Sequence, residues 1–440
     1  MILWRWRCPP QSAINMAGII RPVKGTRDFY PELMAQRMWL YNRIRAVSES
    51  YGYQEWEAPM IEALELYAAK SGEELVKEQA FVFPDRGGAL LTLRPELTPS
   101  LARLIAQRAR ELPRPIRWWS FGPFWRYERP QKGRTREFFQ WNIDLLGSAS
   151  IVADAEIASI GAGLLAALGL TSQHIVISVN SRRLMEARVA DLGVRAEERP
   201  KVFRLLDRLD KLPADKWAAE GTQLGLSDQQ LAGLQLLMQD REQWRSSPEL
   251  TAFFDTCSAL GTREWFDFDP TIVRGLDYYT GMVFEARDRD GEFRAILGGG
   301  RYDNLVADVG GDPITGVGFA MGDVVVQLVL EKYGVLPKLR AAPADVLVTV
   351  FSAELLPASA ALAHALRAAG LRAELYPEAD KLAKQLKYAD RLAIPFATVL
   401  GPDEVAESNV TIKQLASTTQ LKCAQTAAPQ ALLRLRDGAA

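Results

Sequence analysis

Two glycine-rich runs constrain this chain more than any other feature: Val273-Arg274-Gly275-Leu276-Asp277-Tyr278-Tyr279-Thr280-Gly281 and Gly298-Gly299-Gly300-Arg301-Tyr302-Asp303. Strand formers flank them (Val283, Phe284, Ala286; Phe293, Ala295, Ile296), so the runs are expected on neighbouring antiparallel strands. Glycine lets a ligand approach the backbone, while tyrosine and arginine supply stacking and hydrogen-bonding tips. A pocket for a small polar aromatic molecule beside a phosphate needs this combination. A kinked, tyrosine-rich strand pair in a core would use the same residues.

Composition narrows the choice. The 440 residues exceed one ordinary domain, and 48% hydrophobic with 24% charged residues is the balance of a soluble globular protein. A net charge of −1 excludes bulk positive steering of nucleic acid, so any RNA contact must use local patches. Cys8, Cys257 and Cys423 are far apart and match no metal spacing, which points to a reducing, cytoplasmic setting without structural zinc. His174 and His364 lie away from the glycine runs, so a histidine general base is not expected. No apolar stretch reaches the roughly 20 residues of a membrane span. Residues 1–18 are expected to be a disordered extension, with Met16 an alternative start; Pro9 and Pro10 interrupt its apolar beginning.

Helical spacing of Leu33, Met38, Leu40, Tyr41, Ile44 and Val47 predicts a helix over 31–50, followed by a strand at Gly52–Pro59. Further strands are expected at Ala89–Leu93, Ile116–Trp125 and Phe138–Leu146, with a helix at Pro99–Arg110. Residues 182–265, leucine-rich, charged and glycine-poor, read as inserted helices. Beyond Pro337 and Pro343, strand candidates at Val346–Phe351, Leu371–Tyr376 and Thr398–Leu400 alternate with helices near 355–370 and 380–391. That pattern predicts a parallel α/β unit distinct from the antiparallel body. The whole is therefore α+β, with a catalytic domain over 19–335 and a second domain over 343–440.

The loop 126–136 carries Arg126, Arg129, Lys132, Arg134 and Arg136 against Glu128, between aromatic strands bearing Phe124, Trp125, Phe138 and Phe139. Guanidinium forks bind phosphate bidentately and never lose charge, so a triphosphate suits this loop better than a solvated role. A second cluster comprises Arg94-Pro95-Glu96-Leu97-Thr98 with Gln140 and Asp144, which share a strand face because their separation is even. Carboxylates with amide and hydroxyl groups would receive an ammonium and ring N–H donors.

Together these motifs resemble the class II aminoacyl-tRNA synthetases and, within them, the histidyl-tRNA synthetase family. Gly52–Pro59 is similar to the first class motif, a dimer interface, and Trp119–Asp144 to the second. Arg274–Tyr279 and Gly299–Asp303 are similar to two histidine-specific motifs. The resemblance implies an antiparallel catalytic sheet with a helical insertion, and a C-terminal α/β anticodon-binding domain. It also implies a homodimer that uses ATP and Mg²⁺ to join L-histidine to tRNA-His, with no residues of its own assigned as metal ligands. It gives histidine to Glu96, Thr98, Gln140, Asp144, Tyr278, Tyr279 and Tyr302, and ATP to Arg126, Glu128, Arg134 and Arg274. Arg126 and Arg274 would be catalytic at the α-phosphate. On the helix face of Lys381, Lys384 and Lys387 it implies anticodon contact, where a solvated face is the plainer reading.

Two features depart from the family pattern. Its third motif carries an arginine on the helix after a Gly-Phe-Ala-type strand, but here Gly316–Gly322 leads into Asp323-Val324-Val325-Val326. Arg301, Arg294 and Arg263 are the candidates to substitute. The segment Glu96-Leu97-Thr98-Pro99 also differs from the commonest glycine-containing version. The chief rival is a binding protein, the synthetase-like regulatory subunit of ATP phosphoribosyltransferase, which the missing arginine favours and the retained C-terminal domain opposes. A synthetase for another amino acid would have to use the tyrosines differently.

Overall fold

The predicted first helix spans Pro31–Ser50 and buries Leu40, Ile44 and Ser48 on one side. It stops where Gly52, with φ +78, donates its N–H to the Glu49 carbonyl, a left-handed terminus natural for glycine. The computed structural model describes residues 19–68, 78–209, 211–272, 279–337, 339, 342–417 and 419–438. The proposed extension at 1–18 and the run Val273–Tyr278 lie outside them. Two compact units emerge: Trp39–Pro337 with the preceding stretch up to Asp28, and Lys338–Ala440 with Phe29–Met38.

In the first unit the strands are β1 (Gln54–Glu55), β2 (Ile61–Ala63), β3 (Phe81–Pro84), β4 (Leu90–Leu93), β5 (Ile116–Trp125) and β6 (Glu137–Leu146). They continue with β7 (Ile175–Ser181), β8 (Phe266–Phe268), β9 (Met282–Asp288), β10 (Leu297–Tyr302) and β11 (Gly316–Gly322). Eight of them form one sheet in the order β1-β5-β6-β11-β10-β9-β7-β8, and β2-β4-β3 form a small separate one. The large sheet is antiparallel from β5 to β7, with a parallel pair at each end, β1 on β5 and β8 on β7. The second glycine run lies on β10 beside β9, which carries Val283, Phe284 and Ala286 as expected, but the described end of the first run, residues 279–281, precedes β9, and Phe293, Ala295 and Ile296 fall in the connection rather than on a strand.

Alternation along the strands sorts this sheet into two faces. On one face Met282, Phe284, Ala286, Leu297, Val317, Phe319 and Met321 are buried with the apolar helix Ile151–Ala167. That helix approaches closely because a Cβ at Gly161 would meet Leu297 Cδ2 at 3.0 Å. The other face presents Asp144, Val283, Glu285, Arg287, Gly300 and Tyr302, and it holds the polar pocket.

Helices Arg182–Asp191, Arg199–Leu206, Ala214–Gln223, Asp228–Gln239 and Pro248–Ala259 fill the predicted helical stretch. Serine caps set several starts: Ser181 accepts from the Leu184 N–H, Ser247 from the Leu250 N–H, and Ser227 forms a capping box with Gln230. The first four close an apolar cluster around Trp217, Phe203 and Leu234 that includes Val283 on the open face of β9.

The second unit contains β12 (Val346–Val348), β13 (Ala373–Leu375), β14 (Phe396–Val399), β15 (Asn409–Gln414) and β16 (Gln420–Ala424), ordered β13-β12-β14-β15-β16. Its heart is parallel, as predicted; β15 and β16 add an antiparallel edge that sequence reading missed. Within helix Leu382–Arg391, buried Gln385 accepts from the Val350 N–H and donates to the Val350 carbonyl, anchoring the helix to the loop after β12. Lys384 pairs with Asp380, and Tyr388 donates to Glu374 at 2.6 Å.

Candidate active site

On the open face, Tyr302 of β10 donates its hydroxyl to Asp144 Oδ1 of β6 at 2.5 Å, across the intervening β11. Both side chains are buried, and three glycines make the space. A Cβ at Gly318 would meet Asp144 Oδ1 at 2.1 Å, one at Gly316 would strike the Tyr302 ring at 2.5 Å, and one at Gly300 would strike the Tyr279 ring at 2.9 Å. Burial pushes the Asp144 carboxyl up to about 7, partly offset by the Tyr302 hydrogen bond. Tyr279, directly before β9, has its phenol raised by burial first, then by the negative charges of Asp144, Glu96 and Glu285. Tyr279, Tyr302, Asp144 and Glu96 therefore cluster on this face, and Tyr279 also lines a cavity with Glu285 and Arg287. Thr98 begins the helix Thr98–Arg108, and Gln140 lies on β6 in register with Gly122 and Gly322.

Arg94 holds the loop that carries Glu96. Fully buried, it donates to the Pro123 carbonyl at 2.9 Å and to the Ala58 carbonyl at 3.1 Å, pairs with Glu57, and lies 4.7 Å from the Phe124 ring centre. Arg126 completes the link by donating Nε to the Pro95 carbonyl at 2.9 Å. The pocket around Asp144 is thereby tied to the basic hairpin.

That hairpin does not aim all its cations one way. Arg126 and Arg134 line a cavity of about 480 Å³ together with Glu128, Phe138, Arg287, Arg294, Val324 and Val325. Arg134 pairs with Glu128 at 2.9 Å, and Arg126 lies 5.4 Å from the Phe138 ring centre. Lys132 instead pairs with Glu292 at 2.9 Å, and Arg136 stacks at 4.0 Å on Tyr127. Arg287 is a lining residue that sequence reading missed, although its alternation with Glu285 marks it as pointing to the open face. With one carboxylate already paired and an aromatic wall, the cavity suits a nucleotide's phosphates more than a resident cation.

Arg301, which the sequence offers as a substitute clamp, is on the opposite face. It is 3% exposed, donates Nη2 to Asp154 at 2.5 Å and Nη1 to Thr315 Oγ1 at 2.6 Å, and reaches the Ser148 and Ser150 carbonyls at 2.9 and 3.2 Å. Asp303 accepts from Thr315 at 2.5 Å and from Thr280 at 2.7 Å. Arg263 donates to the Phe266 carbonyl and covers the Phe254 ring. Both arginines are structural, because an alternating strand and a helix-end turn send them away from the cavity. Arg274 and Tyr278 lie outside the described residues.

A mainly antiparallel sheet with its polar pocket on the open face, joined to a separate anticodon-binding unit, is the architecture of the class II aminoacyl-tRNA synthetases. The family model "Histidyl-tRNA synthetase" matches residues 25–323, and "Anticodon binding domain" matches 345–435. The chain is similar to the chloroplastic/mitochondrial histidine–tRNA ligase of Arabidopsis thaliana, with 37% identity over 413 residues, 92% of this chain and 85% of the relative. The crystal structure of histidyl-tRNA synthetase from Nostoc superposes with TM-score 0.80 at 26% identity, covering 95% of this chain and 99% of that one. A Bacillus halodurans structure titled as an ATP phosphoribosyltransferase regulatory subunit/histidyl-tRNA synthetase shares the fold, with TM-score 0.68 at 22% identity over 89% of this chain and 96% of that one. The chain belongs to the histidyl-tRNA synthetase family.

Proposed function

We propose that this chain activates L-histidine with ATP and transfers it to the 3′ end of tRNA-His. The observation that carries this reading is the Arg126–Pro95 hydrogen bond, which couples the Asp144–Tyr302 pocket to the arginine-lined cavity. In the pocket, Asp144 and Glu96 receive the α-ammonium, while Tyr279, Tyr302, Thr98 and Gln140 meet the imidazole and carboxylate. In the cavity, Phe138 meets the base, and Arg126, Glu128 and Arg134 hold the rest of the ATP. The histidine carboxylate oxygen attacks the α-phosphorus, the bond to the pyrophosphate oxygen breaks, and Arg126 with Arg274 offsets the charge that builds on the phosphoryl oxygens. Mg²⁺ arrives on the triphosphate as part of the substrate. Transfer to tRNA uses the second unit to hold the anticodon, and a homodimer forms through Gly52–Pro59. The odd number and wide spacing of the cysteines favour the cytoplasm; no helix among the described residues is long and apolar enough to cross a membrane.

Histidine-dependent ATP–pyrophosphate exchange by the purified chain tests this directly. Exchange that requires histidine is expected. Histidine binding with no exchange at saturating ATP and Mg²⁺ would move the chain to the regulatory reading, whose fold it shares.

The buried Asp144 makes histidine binding pH-dependent. Burial raises its carboxyl to about 7, and a docked ammonium favours the ionised form. Histidine affinity should therefore rise with pH, up to about tenfold per unit, and level off above about 7. The ligand imidazole titrates at about 6.5 as well, so Asp144→Asn is the control, expected to bind weakly with a shallower slope. Titration calorimetry between pH 5 and 8 decides it: parallel slopes would detach Asp144 from the ammonium. Folding stability in the absence of added histidine runs the other way. The native carboxyl keeps its proton above the unfolded value of about 3.9, so ionising it costs stability as pH rises from about 4 to 7.

A further inference from the structure

Two of the guanidiniums around the cavity come from outside the basic hairpin: Arg287 on β9, and Arg294 in the connection to β10. β11 lies between β6 and β10, so the junction from β11 into the helix Asp323–Lys332 enters the cavity between these arginines and the hairpin pair Arg126 and Arg134. That junction lines the wall with Gly322, Val324 and Val325 and supplies no cation. Its acid, Asp323, is buried and occupied: it accepts from the Phe139 N–H at 2.9 Å and from Arg27 Nη2 at 2.7 Å.

The arginines nearby differ in their commitments. Arg301 and Arg263 are held elsewhere, Arg134 is paired with Glu128, and Arg287 is paired with Glu285. Arg294 is exposed and makes no ion pair or hydrogen bond among the described residues. The cavity wall thus gathers Arg126, Arg134, Arg287 and Arg294 against Glu128 alone. Converging like charges raise the local positive potential and favour an anion between them.

We propose that Arg294, assisted by Arg287, clamps ATP from the β9–β10 side of the cavity, in place of a cation on the helix that follows β11. This rests on the reading of the cavity as the ATP site. Arg294 reaches the nucleotide opposite Arg126, so the triphosphate is held from two strand pairs at once. A planar guanidinium serves here because it grips two phosphate oxygens in one geometry.

Arg294→Ala in the full chain, assayed by histidine-dependent ATP–pyrophosphate exchange, tests the clamp. KM for ATP should rise by about tenfold or more and kcat fall on the order of 10², as for a lost positioned donor. KM for histidine should stay within about twofold, separating an ATP contact from general damage. The melting temperature should not move, because the side chain is exposed and unpaired, and Arg294→Lys should recover part of the loss by keeping the charge. Unchanged ATP parameters, or equal losses for ATP and histidine, would overturn the proposal. Should the wild-type chain show no exchange, the functional reading falls, while equilibrium dialysis of labelled ATP still decides the clamp: equal binding by wild type and Arg294→Ala overturns it.

Discussion

Arg301→Met is expected to destabilise the first unit by about 3–5 kcal/mol, the cost of breaking a buried ion pair by removing one partner. The Arg301 guanidinium is nearly inaccessible and holds Asp154, Thr315 and two carbonyls that precede the helix Ile151–Ala167. Removing it strands the Asp154 carboxylate, whose titration burial has already pushed up to about 6 despite the pairing. The variant should unfold at a lower denaturant midpoint with little change in slope. The pair Arg301→Met and Asp154→Leu should lose less than the two single changes summed, because the double variant leaves no orphaned charge. Strict additivity of the two losses would show that the pair is not coupled. Activity would fall in the single variant only through the folded fraction, since Arg301 faces away from the pocket.

That Arg301 is structural, although it sits beside the pocket residue Tyr302, shows what local sequence could and could not reveal. Period-2 alternation places neighbours on opposite faces, so Arg301 and Tyr302 had to differ in role. Which of them met the pocket depended on the helix Ile151–Ala167 covering one face, a contact set by residues about 150 positions away. The strands Ile116–Trp125 and Glu137–Leu146 were legible because aromatic residues flank an uninterrupted polar turn. The even spacing of Gln140 and Asp144 likewise put both on one face. The strand Gln420–Ala424 was not legible, since its largely exposed residues carry little strand preference and pairing with Asn409–Gln414 holds it; the Val410-Thr411-Ile412 alternation of that partner strand was a signal that went unread. Among the cations of the basic loop, sequence gave charge but not aim: Lys132 and Arg136 are drawn off by Glu292 and Tyr127, partners at very different sequence distances.

Arg126→Ala is expected to lower kcat/KM in exchange by about 10²–10³, equivalent to about 3–4 kcal/mol of transition-state stabilisation. Arg126 is the residue through which the two halves of the site touch. Its Nε is spent on the Pro95 carbonyl, which fixes the loop bearing Glu96 and Thr98. The planar group leaves its remaining N–H donors for the cavity. Alanine therefore removes an ATP contact and a support of the histidine loop together, so KM should rise for both substrates. That double rise distinguishes it from Arg294→Ala, for which only the ATP side should move. Arg126→Lys should restore little, because an ammonium cannot hold the Pro95 carbonyl and a phosphate in the same fixed plane. A variant with only its ATP parameters altered would show that the Pro95 bond positions nothing. The coupling between amino-acid loop and phosphate cavity would then have to run through Arg94, whose bonds reach Pro123 and Glu57 on the far side of that loop.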